Sequence, residues 1–390
     1  MLIEELTLRG LLSFGPDTEP IPLQSLNLLI GPNGSGKSNL LEAIGLLRSS
    51  ASKLTGPLRG AGGGGVTEWL WKGAKNGSAK IDAVINYPDG TQQLRHRLEF
   101  IESGSRLELC DEAIENRDPE PGHNDAFFYY RYQHGKPALA VKGEGRSRPL
   151  RREDVAPDES ILSQRKDPDQ YPELAYLSDM YGQVRLYREW SFGRSSVFRS
   201  PQAADLPSDR LEEDFSNLGL FLNHLRTTKA KKGIIEHLRD LYEGLDEFDV
   251  RIKGGTVEVF LTEGDFVIPA SRLSDGTLRY LCLLSILCDP DPPALLCIEE
   301  PELGLHPDML PKLADLMAEA SQRTQLIVTT HSDALVDAMT SRPEAVVVME
   351  KHNGQTQAKR LANDAELQEW LKKYRLGQLW TRGEIGGVRW

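Results

Sequence analysis

The octet Gly31-Pro32-Asn33-Gly34-Ser35-Gly36-Lys37-Ser38 satisfies the pattern G-x-x-x-x-G-K-[ST]. Glycine at these spacings lets successive backbone N–H groups turn inward around a phosphate with no side chain in the way. The loop opens a helix, whose positive end favours the same anion. Lys37 is expected to reach the β- and γ-phosphates of a nucleotide, and the Ser38 hydroxyl to coordinate Mg2+. Asn33, Gly34, Ser35, Gly36 and Asn39 complete the expected cradle.

The run Ala294-Leu295-Leu296-Cys297-Ile298-Glu299-Glu300-Pro301-Glu302 delivers two adjacent carboxylates to the C-terminal end of an apolar strand. In open α/β sheets that is where ligands bind. Successive strand side chains point to opposite sides, so the two acids divide the work. Glu299 is expected to assist Mg2+ from the outer shell, and Glu300 to orient or deprotonate an attacking water. Alone, acids at a strand end are common at a sheet edge; downstream of a phosphate loop they gain meaning. A second apolar strand, Gln325–Thr330, ends at His331. That histidine is either an ordinary satisfied polar residue or a group within reach of a γ-phosphate. Leu273-Ser274-Asp275-Gly276-Thr277, ahead of the apolar stretch Leu278–Leu287, reads by itself as a helix N-cap.

The elements that must position these residues follow from periodicity. Leu26–Ile30 reads as a strand, and Leu40, Leu41, Ile44 and Leu47 recur at helical spacing after the loop. Leu2–Leu8 alternates like an edge strand. Between about 50 and 155, the Gly62–Gly65 run and the segments Lys80–Tyr87, Gln92–Ile101 and Arg106–Cys110, with turns such as Pro88-Asp89-Gly90, predict a hairpin-rich β lobe. Gly143–Pro157 reads as a mobile loop. Helical spacing returns at Leu218, Leu222, Leu225 and again at Ile235, Leu238, Leu241. A strand at Gly255–Thr262 and an α/β pattern from Leu273 to about Glu350 follow. There is no internal repeat and no sustained heptad run. The chain divides on this reading into a first lobe (1–165), a helical insert (166–250), a second lobe (251–355) and a tail (356–390).

Composition narrows the class. Of 390 residues, 39% are hydrophobic and 27% charged, as in a globular protein. The longest apolar stretches, near Leu278–Cys288 and Ala294–Ile298, fall far short of the roughly 20 residues a bilayer span needs. The N-terminus Met1-Leu2-Ile3-Glu4-Glu5 is acidic where a signal peptide is basic, so a cytoplasmic location and no membrane partner are expected. Of four cysteines, Cys282, Cys288 and Cys297 lie in apolar segments and read as buried thiols. The net charge of −12 argues against a protein that coats duplex DNA. Local basic clusters at Lys142–Arg152 and Lys229–Lys232 read first as solvated loop charge.

Taken in order, phosphate loop, Leu-Ser-Asp-Gly-Thr, strand-Glu-Glu-Pro and strand-His resemble the ABC ATPase superfamily. The fold this implies is α/β: a P-loop ABC-type nucleotide-binding domain, with a mixed sheet and a β lobe, carrying a helical insert. The Ile298-Glu299-Glu300-Pro301-Glu302 and Leu305-His306-Pro307 style is closest to non-transporter members. These are the SMC and RecF heads, the ATPase half of the overcoming-lysogenisation-defect nucleases, and predicted ATPases of bacterial defence clusters. Tyr374-Arg375-Leu376-Gly377, Trp380 and Gly383-Glu384-Ile385-Gly386-Gly387 resemble the end of the last group. Asp275 and Thr277 stand where transporters carry Gly and Gln, Glu299 where they carry Asp, and His306 where many carry Asp; all four suit the non-transporter branch.

The resemblance implies ATP and Mg2+ as cofactors. It makes Glu300 the general base, His331 the switch histidine, and Ser274 and Gly276 the contacts to a γ-phosphate held by an opposite subunit. Gly304–Pro307 becomes a segment crossing the dimer interface. For the glutamine that meets the metal, Gln164 is the candidate and Gln183 the alternative; Arg9 is a candidate for a basic residue near the nucleotide. The partner is then a second copy, joined through an ATP sandwich, with a higher assembly left open. Length leaves no room for long antiparallel arms, and the roughly 40 residues after Glu350 are too few for a nuclease domain. The expected role is therefore the sensor or scaffold ATPase of an anti-phage defence system, controlling a separate nuclease or toxin. A RecF-like repair or chromosome-maintenance ATPase that binds nucleic acid directly is the alternative. Trp370, Trp380 and Trp390 are either partner anchors or a tail packed on its own domain.

Overall fold

A computed structural model describes all residues except 61–62, 75–76, 134, 141–146, 151–154, 192, 242–243, 363–364 and 388–390. Most of the Lys142–Arg152 cluster and of the Gly143–Pro157 loop, with Gly62 and Trp390, therefore lie outside the described residues. The chain forms two compact units. The first comprises Met1–Val184, Glu344–Ala365 and Trp380–Trp390, and the second Arg185–Pro343 and Glu366–Leu379.

In the first unit, eight strands form an antiparallel sheet, in the order Ile21–Pro22, Ile3–Arg9, Ala79–Ile85, Leu94–Ser103, Arg106–Asn116, Phe128–Gln133, Lys136–Ala140, Ser147–Pro149. Its long strand Leu94–Ser103 buries Leu94, His96, Leu98 and Phe100 at every second position, the period of a sheet with one covered face. This is the predicted β lobe, extended by the N-terminal strand. The strand Leu26–Ile30 is buried at all five residues, pairs in parallel with Val346–His352, and leads through the phosphate loop into the helix Lys37–Ser50. Val346–His352 pairs antiparallel with Gln355–Arg360, so the arrangement is mixed.

The second unit carries parallel strands Arg185–Tyr187, Leu295–Glu299 and Gln325–Thr329, with helices Asp275–Leu287, Leu310–Ala320 and Asp333–Ala338. A small antiparallel sheet contains Gln202–Ala203, Glu247–Lys253, Thr256–Glu263 and Phe266–Pro269. Among the described residues, no helix is long and apolar enough to cross a membrane.

The compact units run differently from the four segments read in the sequence. Segment 166–250 is not uniformly helical: it holds the helices Pro172–Gln183, Leu218–Leu225 and Ala230–Leu241, but also strands. Its first helix belongs to the first unit. The reason is a buried polar chain: the Tyr181 hydroxyl meets His96 Nδ1 at 3.2 Å, and His96 Nε2 meets the Glu112 carboxylate at 3.3 Å. Glu112 in turn accepts from the Ser160 hydroxyl and from the Ile161 N–H. Buried polar groups need such partners, and these tie helix to sheet. The boundary at 355 also cuts a hairpin, because Gln355–Arg360 is the partner strand of Val346–His352. In the tail, Trp380 is buried and its indole N–H donates to the Gly387 carbonyl, so this tryptophan packs on its own unit.

Candidate nucleotide-binding and hydrolysis site

The structure gathers the predicted residues into two groups, one in each unit. In the first unit, Gly31, Gly34 and Gly36 have φ of 147°, 79° and 103°, values that L side chains rarely adopt. A Cβ on Gly31 would lie 2.1 Å from the Met349 carbonyl oxygen, and one on Gly36 would lie 2.3 Å from Thr356 Oγ1. The loop therefore requires glycine for both backbone angle and space. Lys37 is buried, and its ammonium folds back to donate to the carbonyls of Gly31 (2.7 Å) and Pro32 (3.2 Å). Asn33 and Gly34 are exposed at the tip.

Two observations fit a bound phosphate. No side chain caps the helix Lys37–Ser50 at Gly36, and a helix N-terminus favours an anion. The Ser35 hydroxyl is buried with no hydrogen-bond partner among the described residues. Asn39 is placed otherwise: its amide donates to Ser13 Oγ, and the Thr356 hydroxyl bridges Ser13 and the Ser35 carbonyl. This clasp beneath the loop was not legible in the sequence, since Ser13 and Thr356 lie 343 positions apart.

In the second unit, Glu299 ends its strand and Glu300 follows at φ 46°, a left-handed angle that costs a non-glycine residue about 1–2 kcal/mol. The turn is held by the Glu300 N–H donating to the Thr329 carbonyl at 3.0 Å. Strain of this kind gathers at functional sites because the surroundings over-determine it. The Glu300 carboxylate lies 3.6 Å from His331 Nε2. His331 is fixed from behind by Glu302, whose carboxylate accepts from the His331 N–H (3.0 Å) and the Thr330 hydroxyl (2.6 Å). Glu302 stands in the motif, yet sequence spacing assigned it no role. Removing it by Glu302→Ala is expected to cost about 1.5–3 kcal/mol, the scale of hydrogen bonds to a charged group. A urea-unfolding series would read this loss, and hydrolysis should fall with it as His331 loosens.

Ser274 caps the helix Asp275–Leu287, its hydroxyl accepting from the Thr277 N–H, so the bland expectation for this turn holds as geometry. The turn is nevertheless exposed at Ser274 and Asp275. Gly276 runs against the segment Gly304–Pro307: a Cβ there would lie 2.8 Å from the Gly304 carbonyl. Leu303, Gly304, His306 and Pro307 are exposed as well. The signature turn and its neighbour thus present one open surface.

The glutamine candidates are occupied locally. Gln164 Oε1 accepts from the Ala156 N–H, and its Nε2 donates to the carbonyls of Glu159 and Ser160, closing the turn before the short helix Ile161–Gln164. Gln183 donates to Asp179 and Arg9 to the Thr18 carbonyl. Sequence reasoning missed three residues beside the acids. Arg188 Nε donates to the Glu299 carboxylate at 3.0 Å, the Trp190 indole donates to the Glu299 carbonyl at 2.8 Å, and Arg279 donates to the Glu300 carbonyl at 3.0 Å.

Phosphate loop, helix, paired acids and strand-end histidine on α/β units define an ABC-type P-loop ATPase, and solved structures agree on the fold. The Smc head bound to the C-winged helix domain of ScpA matches with TM-score 0.61 and 17% identity, over 94% of this chain and 100% of that one. The Pyrococcus furiosus Smc head with an extended coiled coil gives 0.59 and 15%, over 95% and 99%, and the Pyrococcus yayanosii head 0.52 and 13%, over 96% and 99%. A stretch of 59 residues is 49% identical to the DNA replication and repair protein RecF of Magnetococcus marinus (strain ATCC BAA-1437 / JCM 17883 / MC-1). It spans 13% of this chain and 13% of that relative. The chain belongs to the family described as "AAA domain, putative AbiEii toxin, Type IV TA system", whose model matches residues 26–337. Its likeness to the SMC head domains is one of fold.

Proposed function

We propose that the protein is a MgATP-driven dimeric switch, in which the P-loop of one protomer and the signature turn of a second close on the same nucleotide. The observation that carries this reading is the exposed pairing of the signature turn with Gly304–Pro307. A helix cap that served only its own helix would not need a glycine pressed against an exposed neighbouring loop. Two copies related by a two-fold axis would bury this surface twice, which is how an isologous interface forms.

Within the closed site the residues divide the chemistry. Backbone N–H groups of Asn33–Lys37 and the Lys37 ammonium hold the phosphates, and Lys37 exchanges its two loop carbonyls for them. Ser38 would hold Mg2+, with Glu299 assisting from the outer shell, and that ion would supply neutralisation of charge developing on the phosphates. Glu300 orients and deprotonates the attacking water, with His331 beside the γ-phosphate. Ser274 and Gly276 reach that phosphate from the second protomer. Hydrolysis removes the group that both protomers hold, and the dimer opens.

Acting on a separate effector, a nuclease or toxin, in anti-phage defence is the role we favour. It is supported by the net charge of −12 and by the family's toxin–antitoxin description. Charge neutralisation at Lys229–Lys232 supports it further: Lys231 pairs with Glu247, and Lys232 with Glu236. The RecF match favours a second reading, direct action on DNA. Hydrolysis stimulated by DNA with a steep salt dependence would select that one.

The test is Glu300→Gln beside the wild type, with mass measured by light scattering with and without MgATP. The variant is expected to lose hydrolysis by about 10²–10⁴-fold, the usual contribution of a general base. It should also accumulate as an ATP-dependent dimer. A mass that ignores ATP although nucleotide binds would overturn the switch.

A further inference from the structure

The signature turn and the two acids are joined by a segment that no motif accounts for. Residues 188–199, of which 192 is outside the described set, run from the Glu299 strand end to the signature turn within the second unit. At one end, Arg188 holds the Glu299 carboxylate and Trp190 the Glu299 carbonyl. At the other, Arg199 donates to the Gly193 and Leu273 carbonyls and to the Asp275 carboxylate, which also accepts from the Gly193 N–H. The turn Val197–Arg199 packs on Ala270–Arg272, which leads into the signature. Arg199 keeps the Asp275 carboxyl below the usual carboxylate range.

A third connection closes the circuit. Arg279, one turn beyond the signature on the same helix, lies 4.5 Å over the Trp190 ring and donates to the Glu300 carbonyl. It is only 5% exposed, and burial lowers its pKa to about 10. A buried guanidinium is tolerated only where aromatic and carbonyl partners replace water, and removing any of these partners leaves it uncompensated. Tyr187, Trp190 and Phe198 all pack on Phe215, with ring centroids 5.4, 5.1 and 5.4 Å away.

We infer that residues 188–199 are a strap that couples the signature turn to Glu299 and Glu300, so that engaging one nucleotide adjusts the acids that serve the other. This rests on the sandwich reading, in which each protomer's signature touches its partner's nucleotide while its acids serve its own. Arg199, Trp190 and Arg279 are then positioning residues. A move of Asp275 is carried by Arg199 to the strap, and by Trp190 to the Glu299 carbonyl. The same move of the signature helix is carried by Arg279 to the Glu300 carbonyl. The two sites of the dimer thereby become cooperative.

The experiment is the ATP dependence of hydrolysis by the full chain, with wild type, Arg199→Lys, Arg199→Gln and Trp190→Phe, alongside ATP affinity and mass. Trp190→Phe keeps a ring beneath Arg279 and removes the indole donor together with part of the ring. The wild type is expected to show a Hill coefficient approaching about 2, the number of sites. Arg199→Gln and Trp190→Phe should bring it toward about 1 with protomer ATP affinity within about twofold of wild type, and Arg199→Lys should lie between. A change in hydrolysis rate with the Hill coefficient kept at the wild-type value would overturn the strap, as would a non-cooperative wild type that still dimerises. Failure of the wild type and of Glu300→Gln to dimerise with MgATP would instead remove the switch reading, and the strap with it.

Discussion

Gly36→Ala is expected to abolish nucleotide binding, whereas Gly34→Ala should only weaken it. At Gly36 the φ of 103° is combined with a Cβ position 2.3 Å from Thr356 Oγ1 and 2.8 Å from Ser13 Oγ. The Thr356 hydroxyl cannot swing aside cheaply, because it bridges Ser13 and the Ser35 carbonyl and so anchors the loop itself. Relief must come from the loop backbone, which is the phosphate cradle. We expect a loss of about 4 kcal/mol or more, a thousandfold in affinity. At Gly31 the obstacle is the Met349 carbonyl at 2.1 Å, which is backbone and less able to yield, so Gly31→Ala should be at least as severe. Gly34 has φ 79° but no atom within 4 Å of an added Cβ. Only the left-handed cost of about 1–2 kcal/mol applies there, roughly tenfold. Titration with a fluorescent ATP analogue, beside a thermal melt to confirm folding, separates the three. An affinity for Gly36→Ala within tenfold of wild type would mean that the loop does not hold the phosphates.

What could be read from the sequence divides along the same physical line as these variants. The P-loop and the paired acids were legible because their chemistry is confined to a few consecutive residues, where backbone angle, charge and strand end are all local. The strap was not: Arg188 and Trp190 meet Glu299 across 111 and 109 positions, and Arg199 meets Asp275 across 76. Nothing in the run Arg188-Glu189-Trp190 indicates which strand end it will face. Helical period at Leu174, Leu177 and Tyr181 announces a helix over Pro172–Gln183, but not the core it serves. That is decided by the chain from Tyr181 through His96 to Glu112, whose members come from a distant hairpin. Gln164 shows the opposite hazard: a residue type suited to a metal is spent on Ala156, Glu159 and Ser160, its own neighbours. Short-range hydrogen bonds of this kind compete with any longer-range role.

Mixing two inactive variants is expected to restore hydrolysis. In a sandwich dimer each site takes its P-loop from one chain and its signature turn from the other. Lys37→Ala removes the ammonium that now sits on the Gly31 and Pro32 carbonyls, so a homodimer of this variant has two sites without phosphate binding. Ser274→Arg places a long cation at the exposed turn, and its homodimer has two sites that cannot close. Losing the cap of the helix Asp275–Leu287 adds only about 1 kcal/mol of instability. In the mixed dimer one site still lacks both parts, while the other combines the intact P-loop of the Ser274→Arg chain with the intact turn of the Lys37→Ala chain. In an equal mixture half of the random encounters pair the two variants, and each such pair has one working site of two. The mixture should therefore recover about a quarter of wild-type hydrolysis per chain, and less where the two sites are cooperative. Phosphate release measured at equal total protein, for each variant alone and for the mixture, reads this directly. Recovery requires that the signature act on the partner's nucleotide, since within either variant chain one of the two parts is missing. A mixture no more active than its components would place both parts of each site in one chain, and the exposed surface at Ser274, Asp275 and Gly304 would then need another partner.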